Sequence, residues 1–225
     1  KMALAANALT TVATVEDELG ISSGTENARL QRMINAASAH VQNFCNRTFY
    51  RDTAIAETVS ASEGPYMILA RPPINSITSV VYSGSTIDSS EYEIHNANSG
   101  ILYAVAGSWG RTGLYYGDIS QTRAMGMERK LYTVTYDGGW YTPKQDDDDE
   151  DVTRDLPYDI EQAVLYVVAY MRRQMGRDPS VASESLLSSS VSYASVGGAG
   201  GSDWLTTQIP AAASILSRYR IPVLR

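Results

Sequence analysis

Histidine, cysteine and lysine are nearly missing from this 225-residue chain, and each shortage closes off a class of function. Two histidines, His40 and His95, and one cysteine, Cys45, leave too little for a histidine-rich metal site, a hydrolase triad or an internal disulfide. No G-x-S-x-G elbow stands in for them. Cys45 ends an apolar helical pattern, which predicts a buried free thiol and fits assembly in a reducing compartment. Lysine occurs only at positions 1, 130 and 144, so arginine supplies most of the 18 basic residues. Guanidinium groups bind carboxylates in bidentate fashion and suit protein interfaces. With 25 acidic residues the net charge is −7, which argues against affinity for DNA through phosphate neutralisation but not against standing beside DNA. No apolar run is long enough to cross a membrane. The opening Lys1-Met2-Ala3-Leu4 has too short an apolar stretch for a secretory signal.

What is present is a 44% hydrophobic chain with two kinds of period. Thr14, then Val15-Glu16-Asp17-Glu18-Leu19-Gly20, reads as a cap, an acidic first turn and a glycine stop, predicting a short helix over about 14–20. Leu30, Ile34, Ala37, Val41 and Phe44 recur at three- and four-residue steps and predict a long helix over about 26–45. His40 beside this stripe reads as a structural side chain. From Ala54 the period becomes alternating, through Glu57-Thr58-Val59-Ser60, Ile77 to Tyr82, Tyr92-Glu93-Ile94 and Ile101-Leu102-Tyr103. Turn formers separate these short strands, and the β region closes with Leu131 to Tyr136 and the turn signal Asp137-Gly138-Gly139. A small antiparallel sheet or half-barrel over about 54–136 is expected. Ala104 to Arg129 has no sustained period and reads as an exposed loop or extended hairpin. Its Trp109, Arg111, Tyr115 and Tyr116 suit a protein interface better than base stacking in an acidic chain.

Asp146-Asp147-Asp148-Asp149-Glu150-Asp151 is six carboxylates without a break. It lacks the alternate ligands and central glycine of an EF-hand and reads as a solvated loop over 141–154. Pro157 opens a second long helix, about 157–175, with Ile160, Val164, Val168, Met171 and Met175 on one face. Asp159 and Glu161 suit its first turn, and Arg172, Arg173 and Arg177 its end. Ser180 to Ser202 is rich in serine and glycine and predicts a flexible connector, extended in the domain division to 180–208. Pro210 begins a short helix over about 210–220. The fold class expected is α+β: a small helical bundle, residues 13–50 and 155–225, carrying an inserted β subdomain, residues 51–140.

The ordered series of parts resembles the head-tail connector, or adaptor, proteins of tailed bacteriophages. It runs from the long helix ending in Asn43-Phe44-Cys45-Asn46-Arg47-Thr48-Phe49 through Arg71-Pro72-Pro73-Ile74 and Tyr92-Glu93-Ile94. It continues with Val134-Thr135-Tyr136-Asp137-Gly138-Gly139-Trp140 and ends with Leu156-Pro157 opening Ile160-Glu161-Gln162-Ala163-Val164. The resemblance covers roughly Ala13 to Gly176. The 104–129 loop and the 146–151 run look longer than the family pattern requires, so their roles are not carried over. It implies a non-enzymatic virion protein with no cofactor, metal or catalytic residue, forming a homo-oligomeric ring, a dodecamer, in the neck of the particle. Its partners would be the portal above, a stopper or tail terminator below, and double-stranded DNA passing through, with assembly in the host cytoplasm. The portal contact would map to Arg218, Tyr219, Arg220, Ile221, Pro222, Val223, Leu224 and Arg225, where stranded apolar residues also ask for a partner surface. Asp146 to Asp151 is expected at the DNA channel, where negative charge repels phosphates and lets the duplex slide. The rival expectations are a carbohydrate- or ligand-binding β module built on Trp109, Tyr115 and Tyr116, and a carboxylate hydrolase with two acids facing each other.

Overall fold

In the sequence the helical period ends at Cys45, the alternating one occupies the middle of the chain, and the helical one resumes at Pro157. In a computed structural model, which describes residues 3–60, 64–109, 131–175, 183–186, 189–192 and 203–221, one unit comprises Lys1–Tyr50 with Tyr141–Arg225 and the other Arg51–Trp140. The architecture is mixed α+β, with antiparallel sheets, as the sequence predicts.

In the first unit α1 spans Val12–Leu19 and α2 spans Asn27–Cys45. Helix α1 begins a turn before the expected cap, because Thr11, in extended backbone, accepts the Thr14 amide on its Oγ1 at 3.3 Å. Gly20, with φ +61°, ends it in the left-handed conformation that costs glycine least. Asn46, φ +51°, ends α2 in the same way, with the Arg47 amide donating to the Gln42 carbonyl at 3.1 Å. A short helix α3, Pro143–Asp148, occupies part of the expected acidic loop. Helix α4 spans Tyr158–Arg173, α5 Asp203–Gln208 and α6 Pro210–Leu216, the last continued by a 3-10 turn over Ser217–Tyr219.

Helix α4 packs against α1, α2 and α6. Its Ile160, Ala163, Val164, Val167 and Val168 are fully buried, as are Leu30, Ile34, Ala37 and Val41 of α2 and Ala212 and Leu216 of α6. Each buried Ile, Leu or Val contributes about 1.5–3 kcal/mol, so this apolar face, more than helix propensity, fixes the bundle.

The second unit holds β1 (Asp52–Ser60), β2 (Tyr66–Ile68), β3 (Ile74–Tyr82), β4 (Ser85–Thr86), β5 (Tyr92–Asn96), β6 (Ile101–Ala104) and β7 (Leu131–Gly138). They form two antiparallel sheets, ordered β1-β7-β3-β4 and β2-β6-β5. The central strand β7 pairs with both neighbours, Val134 standing opposite Glu57 on one side and Val80 on the other. Its period-two alternation turns Tyr132, Val134 and Tyr136 inward, where they meet Ile74 and Val80 and, from the smaller sheet, Met67, Leu69, Leu102 and Ala104. Ser83 and Gly84, both with positive φ, form the two-residue turn from β3 to β4.

Two further strands, β8 (Ser183–Leu186) and β9 (Ser189–Ser192), pair antiparallel in the segment where the sequence predicts a flexible connector. Their serine-rich sequence has too few apolar positions to announce a strand.

Candidate functional site

The acidic run is anchored at its base before it reaches solvent. The Asp155 and Leu156 amides donate to the Tyr141 carbonyl at 3.2 and 3.1 Å, and the Tyr141 amide donates to Asp155 Oδ1 at 2.5 Å. Between these residues Thr142 and Gln145 form a capping box: Gln145 N donates to Thr142 Oγ1 at 3.3 Å, and Thr142 N donates to Gln145 Oε1 at 3.1 Å. With Pro143 at the first helical position, this nucleates α3 in a stretch whose charge alone suggests an irregular loop. Asp146 to Asp148 therefore sit in a helix, Asp149 caps its end, and residues 147–151 are all exposed. Lys144 pairs with Asp148 one turn on.

The segment from Arg218 to Ile221 is fastened to the helical unit. Tyr219 Oη donates to the Asp159 carboxylate, 2.8 Å from Oδ1 and 2.9 Å from Oδ2, and its ring meets Phe49 edge-on at 6.3 Å. The Arg220 guanidinium lies over the Phe44 ring at 5.4 Å, and that of Arg47 over Phe49 at 5.2 Å. The Ile221 amide donates to the Cys45 carbonyl at 2.9 Å. Burial, then the hydrogen bond and charge of Asp159, push the Tyr219 phenol up to about 12. Arg218 is exposed, while Pro222, Val223, Leu224 and Arg225 lie outside the described residues.

Trp109, expected on an exposed loop, is buried at 1% exposure, and that expectation is corrected. Its ring packs edge-on against Tyr132 at 5.5 Å and stacks with Tyr92 at 6.4 Å, while its carbonyl accepts the Tyr132 hydroxyl. An indole removes so much apolar surface from water that a place in the core outweighs exposure on a loop. Arg111, Tyr115 and Tyr116 lie outside the described residues. The rival ligand-binding reading thus loses one of the three aromatics on which it stood.

Other groupings escaped the sequence reading. Glu161, 5% exposed, accepts Thr10 Oγ1 at 2.9 Å and pairs with Arg154 at 2.6 Å. Its position in a helical first turn explained the charge without revealing the partner, which lies seven residues before it. Asp159 was hidden in the same way. At the far end of the α2/α4 pair, Glu26 holds both Arg29 and Arg172. An open, polar depression of about 450 Å³ beside the end of α2 is lined by Asn7, Gln42, Asn43, Asn46 and Arg47 among others.

Burial pushes the Cys45 thiol up to about 12, which suppresses the nucleophilic thiolate. Burial lowers the pKa of His40, whose ring meets Trp204 edge-on at 5.0 Å. Among the described residues no group of three or more His, Cys, Asp or Glu side chains is placed to hold a metal ion, and no helix is long and apolar enough to cross a membrane.

Comparison with solved structures finds the same fold in the neck of an empty gene transfer agent particle computed with C6 symmetry. The two chains are 15% identical with a TM-score of 0.54, over 100% of this chain and 96% of that one. The neck of the native particle, computed with C12 symmetry, is 14% identical at TM-score 0.54 over 100% and 95%. The virion of the native particle is 14% identical at TM-score 0.53 over 99% and 95%. No curated protein sequence matches. A family model described as head completion protein matches residues 8–185, the stretch holding α1 to α4, both sheets and the anchored acidic segment, and on that match the chain belongs to the head completion protein family.

Proposed function

We propose that the protein is the subunit of a ring-shaped adaptor that docks beneath the portal of a DNA-filled head, extends the DNA channel and offers its other side to a stopper or tail terminator. Membership of the head completion family makes it a structural head-tail connector, and the match over residues 8–185 is the observation that carries this reading. The reading is non-enzymatic: Cys45 is masked by burial, and the exposed acids of α3 lie in solvent and do not face one another across a pocket. The site of action is the neck of a virion, reached after assembly in the host cytoplasm.

Two physical features support the assembly. A ring needs one patch that meets a different patch on the next copy, and a chain with distinct helical and β units supplies distinct surfaces. A net charge of −7 lets the duplex pass without being held, because counterion release requires cationic contacts. The necks sharing this fold were computed with C6 and C12 symmetry, which supports twelve copies here. The portal contact is assigned to the segment from Arg218 onward.

The test is negative-stain imaging of the protein alone and mixed with the portal of the same particle. Rings with a central hole, seated coaxially on the portal, are expected. A protein that neither forms rings in the mixture nor co-sediments with portals overturns the proposal.

A further inference from the structure

The helical unit places exposed charge of opposite sign at two separated positions. The first is the end of the α2/α4 pair around Glu26. Arg172 Nη2 lies 3.3 Å from Glu26 Oε1 and Arg29 Nη1 lies 3.7 Å from Oε2, so two guanidinium groups share one carboxylate. Arg172 Nη1 is shielded from solvent and has no hydrogen-bond partner among the described residues. Arg32, about one turn along α2, and Arg173 are exposed and have no ion pair among the described residues. Among the described residues Glu26 is thus the one carboxylate paired at this end, and it pairs two of the four arginines.

The second position is residues 147–151, five consecutive exposed carboxylates of which, among the described residues, only Asp148 has a cationic partner, Lys144. Their base, where Tyr141 binds Asp155, adjoins the N-terminal end of α4, whereas Arg172 and Arg173 end that helix. Sixteen residues at 1.5 Å rise separate the two ends of α4 by about 24 Å. That is roughly three Debye lengths at physiological ionic strength, so the two positions are screened from each other within one copy. No ion pair joins them among the described residues.

We infer that the basic cluster of Arg29, Arg32, Arg172 and Arg173 docks the Asp147–Asp151 segment of a second copy of this chain. Each contact leaves one acidic and one basic end unsatisfied, so the same heterologous joint repeats from copy to copy until it closes. Arginine suits the joint because its planar fork binds carboxylates in pairs, and the helix started by the capping box of Thr142 and Gln145 carries Asp147 and Asp148, with Asp149 capping its end. The inference rests on the ring reading and sets the acidic run at the joint between copies, not free on the channel wall.

The experiment uses two full-length variants that remove charge without disturbing a hydrogen bond described above. Asp147→Asn with Glu150→Gln weakens the acidic side; Arg32→Gln with Arg173→Gln weakens the basic side. In mass photometry and sedimentation at low salt the wild type should self-associate and each variant alone should stay monomeric. An equimolar mixture should give a capped 1:1 heterodimer, because one intact face remains on each partner. Raising the salt from about 0.05 to about 0.5 M should weaken that heterodimer on the order of tenfold as the charges are screened. A mixture that stays monomeric, or variants that associate as the wild type does, overturns the joint. So does an unchanged association accompanied by altered DNA retention in heads, which would return the run to the channel. The readout is association in solution, so a heterodimer that forms while the wild type fails to seat on portals would sustain the joint and sink the portal reading.

Discussion

At the residue scale, Glu161 is a carboxylate held inside the helical unit by two partners. Its carboxylate is almost entirely withdrawn from water, with one oxygen on Thr10 and the other on Arg154, whose guanidinium also lies over Tyr158 at 4.3 Å. A buried pair of this kind is weak evidence of net stability, yet removing one partner strands the other's charge. Arg154→Met should therefore destabilise the protein by about 3 kcal/mol, read as a lower urea midpoint, and Arg154→Met with Glu161→Leu should recover part of the loss. If the single and double variants lose equally, the charge pairing is not what matters there. Tyr219 supplies a second test, through pH. Its phenol is raised from 10 to about 12, so the folded state favours the neutral form. The resulting stability is complete below pH 10 and disappears as pH climbs through 12. Tyr136, raised by burial and by its 2.6 Å hydrogen bond to Glu57, loses stability in the same direction and is common to both proteins in the comparison. Unfolding midpoints followed across this alkaline window should fall less steeply for Tyr219→Phe than for the wild type. Equal slopes would mean that the Asp159 bond does not clasp this segment.

At the element scale, periodicity reached the helices and the alternating strands but not the features made by contacts distant in sequence. Leu30 to Phe44 and Ile160 to Val168 announce their buried faces by three- and four-residue spacing, and Tyr132, Val134 and Tyr136 announce theirs by alternation. Trp109 gave no such signal: it stands among glycines beyond the last apolar alternation, and its burial depends on Tyr92 and Tyr132, which are distant in the chain. Helix α3 was masked by the charge of its own residues, although Thr142 and Gln145 already spell its capping box. The clasp of Tyr219 on Asp159 joins residues 60 positions apart, and no local pattern encodes it. Strand β1 contains another non-local device. Between Asp52 and Ile55 its register shifts, and Ala54 takes φ +56°, held by its amide donating to Asp137 Oδ1 at 3.0 Å. Left-handed backbone costs an L-residue about 1–2 kcal/mol, and glycine gives back part of the relief through its freer unfolded chain. Ala54→Gly should thus be neutral or stabilising by about 0.5 kcal/mol, whereas glycine in a regular strand position weakens it. A loss above about 1 kcal/mol in denaturant unfolding would show that the Ala54 methyl is needed more than the strain is resented.

At the scale of the whole molecule, the contacts that hold the chain's last described residues decide where a portal-reaching segment can begin. Tyr219 and Ile221 are bonded to Asp159 and the Cys45 carbonyl, and Arg220, though exposed, lies over Phe44, so all three are engaged within the copy that carries them. A contact with another protein made at this end would use the exposed Arg218 and residues 222–225, with the clasp fixing their point of departure from the helical unit. Removing only residues 222–225 separates anchoring from docking, because every clasp contact described above stays in place. The shortened protein should keep the wild-type urea midpoint, within about 0.5 kcal/mol, because the contacts of Tyr219, Arg220 and Ile221 that hold this end to the helical unit are retained. It should still form the copy-to-copy joint in solution, whose charged residues lie elsewhere in the helical unit. It should fail to join DNA-filled heads, measured as loss of the protein from heads purified on a gradient. Normal attachment would remove the segment from the portal contact, and a lowered midpoint would show that these four residues serve the fold. If attachment and solution joint are lost together while the midpoint holds, the two surfaces are one, and ring closure and portal docking are a single event.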